Sequence, residues 1–314
     1  MVSLVQLEYI VAVDTYRHFA TAAEKCFVTQ PTLSMQIKKM EDDLEVVIFD
    51  RSKQPIIPTD VGAEIIAQAR LILQEAKGID AIVANHKKDV SGELRIGIIP
   101  SLAPYLLPLT MNMLTTDHPN LTVKVREMIT EDIIDALKKD LIDVGILVTP
   151  LHDSAIKEEP LFYEEIKVYA SEGHLFTEKS QLEIKELAAP DLWLLSQGHC
   201  FRSQVLNLCS YHETHRHSLP FEYESGSFET LVKMIDRHGG FTLLPELAVE
   251  EMDESKQERI RTFIDMVPLR EVGLAFTRGF AKRSMLKTLK EHIQQAVPAH
   301  MLNKDRGTII EFKS

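Results

Sequence analysis

The stretch from Ala22 to Gly62 reads AAEKCFVTQPTLSMQIKKMEDDLEVVIFDRSKQPIIPTDVG, and it contains the clearest structural pattern of the N-terminal part. Within it, Val28 to Pro31 indicates a turn and a helix start, because Thr29 can cap a helix and proline is tolerated in the first turn. Apolar residues then recur at helical spacing, at Leu33, Ile37, Met40 and Leu44. With the short alanine-containing helix before the turn, this is a helix-turn-helix pattern, whose second helix carries hydroxyls and lysines suited to bases and phosphates. A three-helix packing unit with a solvated charged face fits the same pattern, and both interpretations stay open here.

A seam of residues with heptad spacing begins at the end of this stretch. The spacings are 3, 4, 3, 4, 3 and 4, at Gly62, Ile65, Ala69, Ile72, Ala76, Ile79 and Val83. Such a stripe needs a partner helix, whereas a helix packed on its own domain favours a 3.6-residue period and a broader apolar face. We therefore predict a dimerising linker helix, which would place two recognition helices on successive turns of DNA.

Length and composition limit the classes of protein. A chain of 314 residues exceeds what one hydrophobic core usually supports, so two or three domains are expected. The formal net charge of -12 excludes a general attraction to nucleic acid or anionic lipid, so any DNA binding must be local. Neither a signal peptide nor an apolar run of ~18 residues is found, and we expect a cytoplasmic protein without membrane contact. Three cysteines in so long a chain exclude a disulfide scaffold, so a cysteine pair needs a chemical explanation.

Beyond residue 90 the pattern changes to strands that alternate with helices. The predicted strands are Glu93–Ile99, Leu121–Glu127, Ile142–Val148, Glu165–Ala170, Leu192–Ser196, Phe221–Glu224, Phe241–Leu244 and Val272–Thr277. Helices are predicted near Tyr105–Asp117, Thr130–Lys139 and Lys282–Val297. This alternation indicates βαβ architecture, in which ligands bind at the carboxyl ends of strands. Ser101 and Thr130 each follow such a strand, although a hydroxyl at that position is more often just a helix cap.

The N-terminal stretch resembles the DNA-binding segment of the LysR-type transcriptional regulators. The matching elements are Ala22-Ala23, Thr29-Gln30-Pro31, the Phe49-x-Arg51 element and the Thr59-x-x-Gly62 start of the linker helix. The resemblance implies major-groove contacts by Gln30, Pro31, Thr32, Ser34 and Lys38, and phosphate contacts by Arg51 and Lys53 in a wing. Cys26 departs from the family's usual leucine, and a buried cysteine acts there as a small hydrophobe.

The same resemblance extends into the second part of the chain and implies its domain plan. SGELRIG at 91–97 and GGFTLLP at 239–245 are similar to segments of the family's effector domain, which has two α/β lobes like periplasmic binding proteins. The implied domains are a winged helix-turn-helix at 1–58, a linker and dimerisation helix at 59–90, and a redox-sensing regulatory domain at 91–314. Lobe I is expected at about 91–162 and 267–300, and lobe II at about 163–266.

The clearest chemical signal is Cys200, followed nine residues later by Cys209. The predicted strand-to-helix junction places Cys200 near a helix N-terminus, beside His199 and Arg202, and all three influences favour a thiolate. A thiolate that meets a small oxidant forms a sulfenic acid, which a second thiol resolves to a disulfide. In a helix, the two cysteines would lie on the order of 13 Å apart along the axis, whereas a disulfide needs Cα atoms within ~7 Å. Oxidation would therefore unwind the helix, although two unrelated buried cysteines fit the same spacing.

The segment GHCFRSQVLNLC at 198–209 is similar to the redox segment of the hydrogen-peroxide sensors within the LysR family. The resemblance implies that Cys200 is the peroxidatic cysteine and Cys209 the resolving one. It also implies a peroxide-binding set made of Ser101, Thr130, His199, Arg202 and Ser203. Ser203 stands where many relatives carry Asp, and this departure bears on proton transfer and sensitivity.

The implied function is a redox-activated transcription regulator that is not an enzyme and needs no cofactor or metal. Its expected partners are promoter DNA, hydrogen peroxide as oxidant, RNA polymerase, and further copies of the chain in a homotetrameric dimer of dimers. A metal-responsive regulator stays open because the chain offers Cys200, Cys209, His212, His215 and His217, although this spacing fits no standard zinc site. A LysR-type sensor of a small metabolite also stays open, whereas a thiol peroxidase would leave the helix-turn-helix and linker without a role.

Overall fold

The computed structural model describes residues 2–86, 90–209, 225–277 and 282–311. The chain divides into an N-terminal unit, Met1–Asp89 with Gly279–Arg283, and a C-terminal unit, Val90–Arg278 with Ser284–Ser314. None of the described helices combines the length and the hydrophobicity that crossing a bilayer requires.

The N-terminal unit is a helix-turn-helix with a small wing and a long helix. Its elements are α1 (Leu4–Tyr16), α2 (Phe19–Lys25), α3 (Gln30–Leu44), β1 (Phe49–Asp50), β2 (Ile57–Pro58) and α4 (Asp60–His86). Thr29 caps α3 by accepting a hydrogen bond from the backbone N–H of Thr32, and a proline lies in the first turn, as predicted. The predicted apolar stripe is confirmed at Leu33, Ile37 and Met40, which are buried in the core of this unit. Its last member, Leu44, is 40% exposed at the end of α3, so the prediction of burial is wrong there.

The wing is joined to α3 and α4 by one acidic side chain and one glycine. Glu41 is buried and accepts hydrogen bonds from the backbone N–H groups of Ile48 (2.8 Å) and Phe49 (3.3 Å). At the start of α4, the backbone passes so close to the wing that a Cβ on Gly62 would lie 2.0 Å from the carbonyl oxygen of Ile48. The Thr59 hydroxyl accepts a hydrogen bond from the Gly62 N–H at 3.0 Å. The junction therefore requires a glycine three residues after Thr59, because a side chain at Gly62 would clash with the wing backbone.

The long helix α4 turns part of its heptad seam toward its own unit. Ala69 is 1% exposed and lies in the core of the N-terminal unit, with Ile65 packed against that core. Ile72 and Ile79, farther along, are 40% and 65% exposed. Ala76 is half-buried, and the side chain of Val83 lies outside the described part of the chain. The exposed end of the seam is thus the part available to another helix.

The C-terminal unit is a two-lobed α/β structure. Its strands are β3 (Gly92–Ile98), β4 (Leu121–Glu127), β5 (Val144–Thr149), β6 (Ile156–Ala170), β7 (Gln181–Leu182), β8 (Phe241–Pro245), β9 (Ile260–Phe263), β10 (Pro268–Thr277) and β11 (Thr308–Ile309). Its helices are α5 (Ala103–Asp117), α6 (Thr130–Lys138), α7 (Cys200–Cys209), α8 (Phe228–His238), α9 (Glu246–Glu250), α10 (Glu254–Gln257) and α11 (Arg283–Ala296). Short 3₁₀ turns lie at Leu175–Glu178, Ile184–Leu187, Ala299–Leu302 and Lys304–Arg306.

The strands β6 and β10 connect the two lobes. The sheet order is β4-β3-β5-β10-β6-β9-β7, with β8 paired to β6 and β11 paired to β10. The strands β3, β4 and β5 are parallel, whereas β10 runs antiparallel to both β5 and β6. The chain leaves the first lobe along β6 and returns along β10, which are longer than the strands predicted over 165–170 and 272–277.

One predicted strand is wrong and another lies outside the described residues. Among the described residues, 192–196 form only isolated bridges, from Leu192 to Phe241 and from Leu195 to Ser225. Between the bridges, the carbonyl of Trp193 accepts the side-chain hydroxyl of Thr242 at 2.8 Å. The strand predicted at 221–224 falls among residues that the structure does not describe.

Candidate functional site

Cys200 is the first residue of α7, as predicted, and it is enclosed by the protein. Its residue exposure is 8%, and its neighbours in the helix, Phe201 and Val205, are also buried. The loop before the helix contains Gly198, whose φ of 88° lies in the left-handed region that favours glycine. This turn brings the thiol to the helix N-terminus and away from solvent.

A buried ion pair between strands β6 and β10 lies next to the start of α7. Arg270 on β10 and Glu164 on β6 stand directly opposite one another in the antiparallel pairing, and both are 0% exposed. Arg270 Nε donates to Glu164 Oε1 at 2.6 Å, and its two terminal nitrogens donate to Ser101 Oγ (3.1 Å) and Ser101 O (3.2 Å). The guanidinium also lies 5.2 Å from the ring centroid of Phe201. Sequence reasoning missed this pair, since a lone Arg and a lone Glu within apolar strands carry no motif.

The electrostatics of the thiol differ from the sequence expectation. Burial raises the pKa of Cys200 above its ordinary value, and the opposing effects of Arg270 and the Thr130 hydroxyl do not overcome it. Burial also lowers the pKa of the His199 imidazole and so disfavours its cationic form. Arg202 donates a hydrogen bond to the carbonyl of Leu195 at 2.9 Å. Burial therefore opposes the thiolate that these sequence neighbours were expected to favour, and burial is not visible in a local motif.

Two buried oxygen atoms near the thiol lack hydrogen-bond partners in the described part of the chain. The hydroxyl of Thr130 lowers the pKa of the Cys200 thiol. Its Oγ1 atom makes no hydrogen bond of normal geometry with any described residue, and Thr130 is only 4% exposed. Gln204 Oε1 is also unpartnered, on a residue that is 0% exposed. Gln204 follows Cys200 by four residues and therefore shares its helix face, a spacing from which it could have been found. Unsatisfied buried polar atoms are uncommon and indicate a place for a small hydrogen-bonding molecule.

The helix α7 is also tied to the C-terminal segment. Gln204 Nε2 donates to the carbonyl of Ile310 at 2.7 Å, and Asn207 Nδ2 donates to that of Glu311 at 3.1 Å. The strand β11, just before these residues, pairs with β10 beside Arg270. Ser203 is half-buried in the same helix, and the side chain of Cys209 lies outside the described residues.

The residues predicted to contact DNA lie on α3 and in the wing. Gln30, Pro31, Lys38 and Lys53 are exposed, whereas Thr32 and Ser34 are half-buried. Lys38 pairs with Asp42 at 3.0 Å. Arg51 pairs with the buried Glu41 at 2.9 Å and stacks on Phe19 at 5.2 Å. Arg51 thus has a structural partner within the wing in addition to any contact with phosphate.

A separate group of two carboxylates and one histidine has ligand atoms close enough together for a metal ion. Ligand atoms of Glu246, Glu250 and His300 lie within 4.8 Å of one another. However, Glu246 already pairs with Lys167 (3.1 Å) and with Arg306. These cations make the cluster an ion-pair network. The histidines of the run at 212–217 lie outside the described residues.

Comparison with known proteins identifies the family. Residues 4–63 match the model of the bacterial regulatory helix-turn-helix protein, lysR family, and residues 87–298 match the LysR substrate binding domain. The chain is 34% identical over 291 residues to the hydrogen peroxide-inducible genes activator of Haemophilus influenzae, which covers 93% of this chain and 94% of that protein. It is also 34% identical over 300 residues to the DNA-binding transcriptional dual regulator OxyR of Escherichia coli K12, covering 94% and 95% of the two chains.

Solved structures agree with this assignment. A full-length OxyR variant from Pseudomonas aeruginosa matches with a TM-score of 0.79 at 33% identity, over 95% of this chain and 99% of that one. A hydrogen peroxide-bound OxyR mutant from Corynebacterium glutamicum matches with a TM-score of 0.61 at 26% identity, over 94% and 92% of the two chains. The chain therefore belongs to the LysR family of helix-turn-helix regulators, within the group of the hydrogen peroxide-inducible genes activators.

Proposed function

We propose that this protein senses hydrogen peroxide at Cys200 and converts its oxidation into a change in promoter DNA binding. The observation that carries the proposal is an enclosed thiol beside the unpartnered hydroxyl of Thr130. A small hydrogen-bonding oxidant is the proposed partner of these two groups. Relatives whose names refer to hydrogen peroxide align with this chain over most of its length. His199, Arg202, Ser203 and Ser101 complete the proposed peroxide-binding set.

The chemistry consumes one peroxide per disulfide. Cys200 sulfur attacks one peroxide oxygen, so an S–O bond forms while the O–O bond breaks. The leaving oxygen takes the thiol proton and departs as water. Cys209 sulfur then attacks the sulfenic sulfur, the S–S bond forms, and the sulfenic oxygen leaves as a second water with the Cys209 proton. Two electrons pass from the dithiol to peroxide, and the protein is oxidised stoichiometrically and not as a turning-over enzyme.

The helical conformation of α7 makes this oxidation a conformational switch. The ten-residue helix begins at Cys200 and ends at Cys209. Its rise places these Cα atoms on the order of 13 Å apart, whereas a disulfide requires ~7 Å or less. Closure of the disulfide therefore unwinds the helix and breaks the two side-chain bonds to the C-terminal segment. Such a local refolding can alter how subunits pack.

The remaining parts of the proposal concern DNA and assembly. Copies of the chain pair through the exposed end of the α4 seam and assemble as a dimer of dimers. Each α3 enters a major groove, and the wing contacts backbone phosphate. The proposed contacts are Gln30, Pro31, Thr32, Ser34, Lys38, Arg51 and Lys53. These local contacts make binding salt-sensitive despite the net charge of -12. A promoter-bound activator works in the cytoplasm and acts on RNA polymerase.

A peptide map tests the redox step directly. The full-length reduced protein is treated with one equivalent of hydrogen peroxide, free thiols are alkylated, and linked peptides are located by mass. We expect a linkage between Cys200 and Cys209 within seconds, with Cys26 still free, and no linkage in Cys200→Ser. A Cys26→Ser variant serves as the matched control and should form the linkage like the wild type. Absence of the linkage would refute the sensor, and zinc in the untreated sample would favour a metal-responsive regulator.

A further inference from the structure

The buried ion pair near Cys200 contains the carboxylate of Glu164, which has no role in the proposed peroxide chemistry. Glu164 faces Arg270 across the antiparallel strands β6 and β10, and both side chains are fully buried. Glu164 Oε1 accepts from Arg270 Nε at 2.6 Å, while Glu164 Oε2 accepts the backbone N–H of Leu247 at 3.2 Å. The carboxylate is therefore held by two elements and cannot turn away from the guanidinium.

Arg270 is the cation that acts on the thiol. Its guanidinium lies over the ring of Phe201, the residue next to Cys200, at 5.2 Å, and two of its nitrogens are bound to Ser101. The positive charge of Arg270 lowers the pKa of the Cys200 thiol, whereas the negative charge of Glu131 on α6 raises that pKa. Inside a protein, a negative charge in contact with a cation reduces the field that the cation exerts on a third group. Glu164 is placed to do this, with Glu246 as a further carboxylate that acts on Glu164.

We propose that Glu164 is a positioning residue that restrains the reactivity of Cys200, by fixing the guanidinium of Arg270 and offsetting part of its charge. The proposal deepens the proposed function and rests on it for its biological meaning. Glu164 touches neither the thiol nor the oxidant, and acts only through Arg270. It thus sets how much peroxide is needed before the thiol reacts, and its removal makes the sensor more sensitive.

The test is the pH dependence of alkylation at Cys200. Full-length reduced protein is treated with iodoacetamide over a range of pH, and the rate at this cysteine is read by peptide mass. We expect Glu164→Gln to lower the midpoint by about one unit, which is a tenfold faster reaction on the acid side of the profile. Glu165→Gln removes a neighbouring carboxylate that does not pair with Arg270, and should leave the profile unchanged.

A double-mutant cycle separates this role from a merely structural one. In an Arg270→Gln background, adding Glu164→Gln should leave the midpoint unchanged, because the cation through which Glu164 acts is gone. The double variant removes both charges, so neither is left buried without its partner. The double variant can therefore be measured even if Glu164→Gln alone does not fold. An unchanged or raised midpoint in folded Glu164→Gln, or a shift that persists without Arg270, would overturn the proposal. Failure of wild-type Cys200 to react with peroxide would refute the proposed function and leave this alkylation result standing.

Discussion

The hydroxyl of Ser101 gives the most direct test of the site's construction. The resemblance assigned this hydroxyl to peroxide, whereas in the structure it accepts a hydrogen bond from Arg270 Nη1 at 3.1 Å. Ser101→Ala leaves that N–H of a fully buried guanidinium without this acceptor. A hydrogen bond to a charged group contributes ~1.5 to 3 kcal/mol, so we expect the free energy of unfolding of the C-terminal unit to fall by about 2 kcal/mol. For a unit of this size the melting temperature should fall by about 4 to 8 °C.

The assay uses the chain's single tryptophan. Trp193 is 5% exposed and lies in the C-terminal unit, so its fluorescence follows the unfolding of that unit. Ser101→Thr keeps the hydroxyl and serves as the control, with an expected loss well below that of the alanine variant. If Ser101→Ala unfolds at the same urea concentration and temperature as the wild type, the reasoning about Arg270 is refuted.

Three further predictions address other parts of the molecule. Thr130→Val removes an unpartnered hydroxyl, and should slow peroxide oxidation of Cys200 by about tenfold in stopped-flow measurements while leaving the Trp193 melting curve unchanged. Glu41→Ala removes the acceptor for two buried wing N–H groups, and should destabilise the N-terminal unit by about 2 to 3 kcal/mol, measured by hydrogen exchange; equal protection would contradict this. Glu246 is buried, which raises its pKa, but Arg306 and other donors hold it at about 2. Its stabilising effect is present above the ordinary pKa near 4.5 and is lost as the pH falls toward 2, on the order of 2 kcal/mol after solvent screening. Glu246→Gln should flatten this acid dependence in urea titrations, and an unchanged slope would exclude Glu246 as its source.

Local periodicity and caps predicted most of the N-terminal unit. The turn at Thr29 and the stripe through Leu33 and Ile37 require only near neighbours in the chain, and the structure confirms them. The heptad seam was equally visible, but its spacing did not reveal that Ala69 packs on the unit's own core. A pattern in one helix shows which face is apolar and does not show what covers it.

The chemical site was predicted only in part for a related reason. The helix start near Cys200 was predicted and the structure confirms it, although the strand predicted before this helix is replaced by isolated bridges. The charges that act on the thiol come from Arg270 on β10, which stands opposite Glu164 on β6, and from Glu131 on α6, all far along the chain from Cys200. Their contribution depends on long-range pairing and on complete burial, neither of which a local motif contains. For the same reason, the local motif did not reveal that burial lowers the pKa of the His199 imidazole.

The attachment of α7 to the C-terminal segment has a consequence for measurement. The amide of Ile310 donates to the carbonyl of Leu269 at 2.8 Å, and its own carbonyl receives Gln204. A residue about a hundred positions away from the cysteines is therefore hydrogen-bonded to the helix that is proposed to unwind on oxidation. Deuterium uptake at that backbone amide would report the redox state of the protein remotely, without a label on either sulfur and without interfering with the DNA-binding surface.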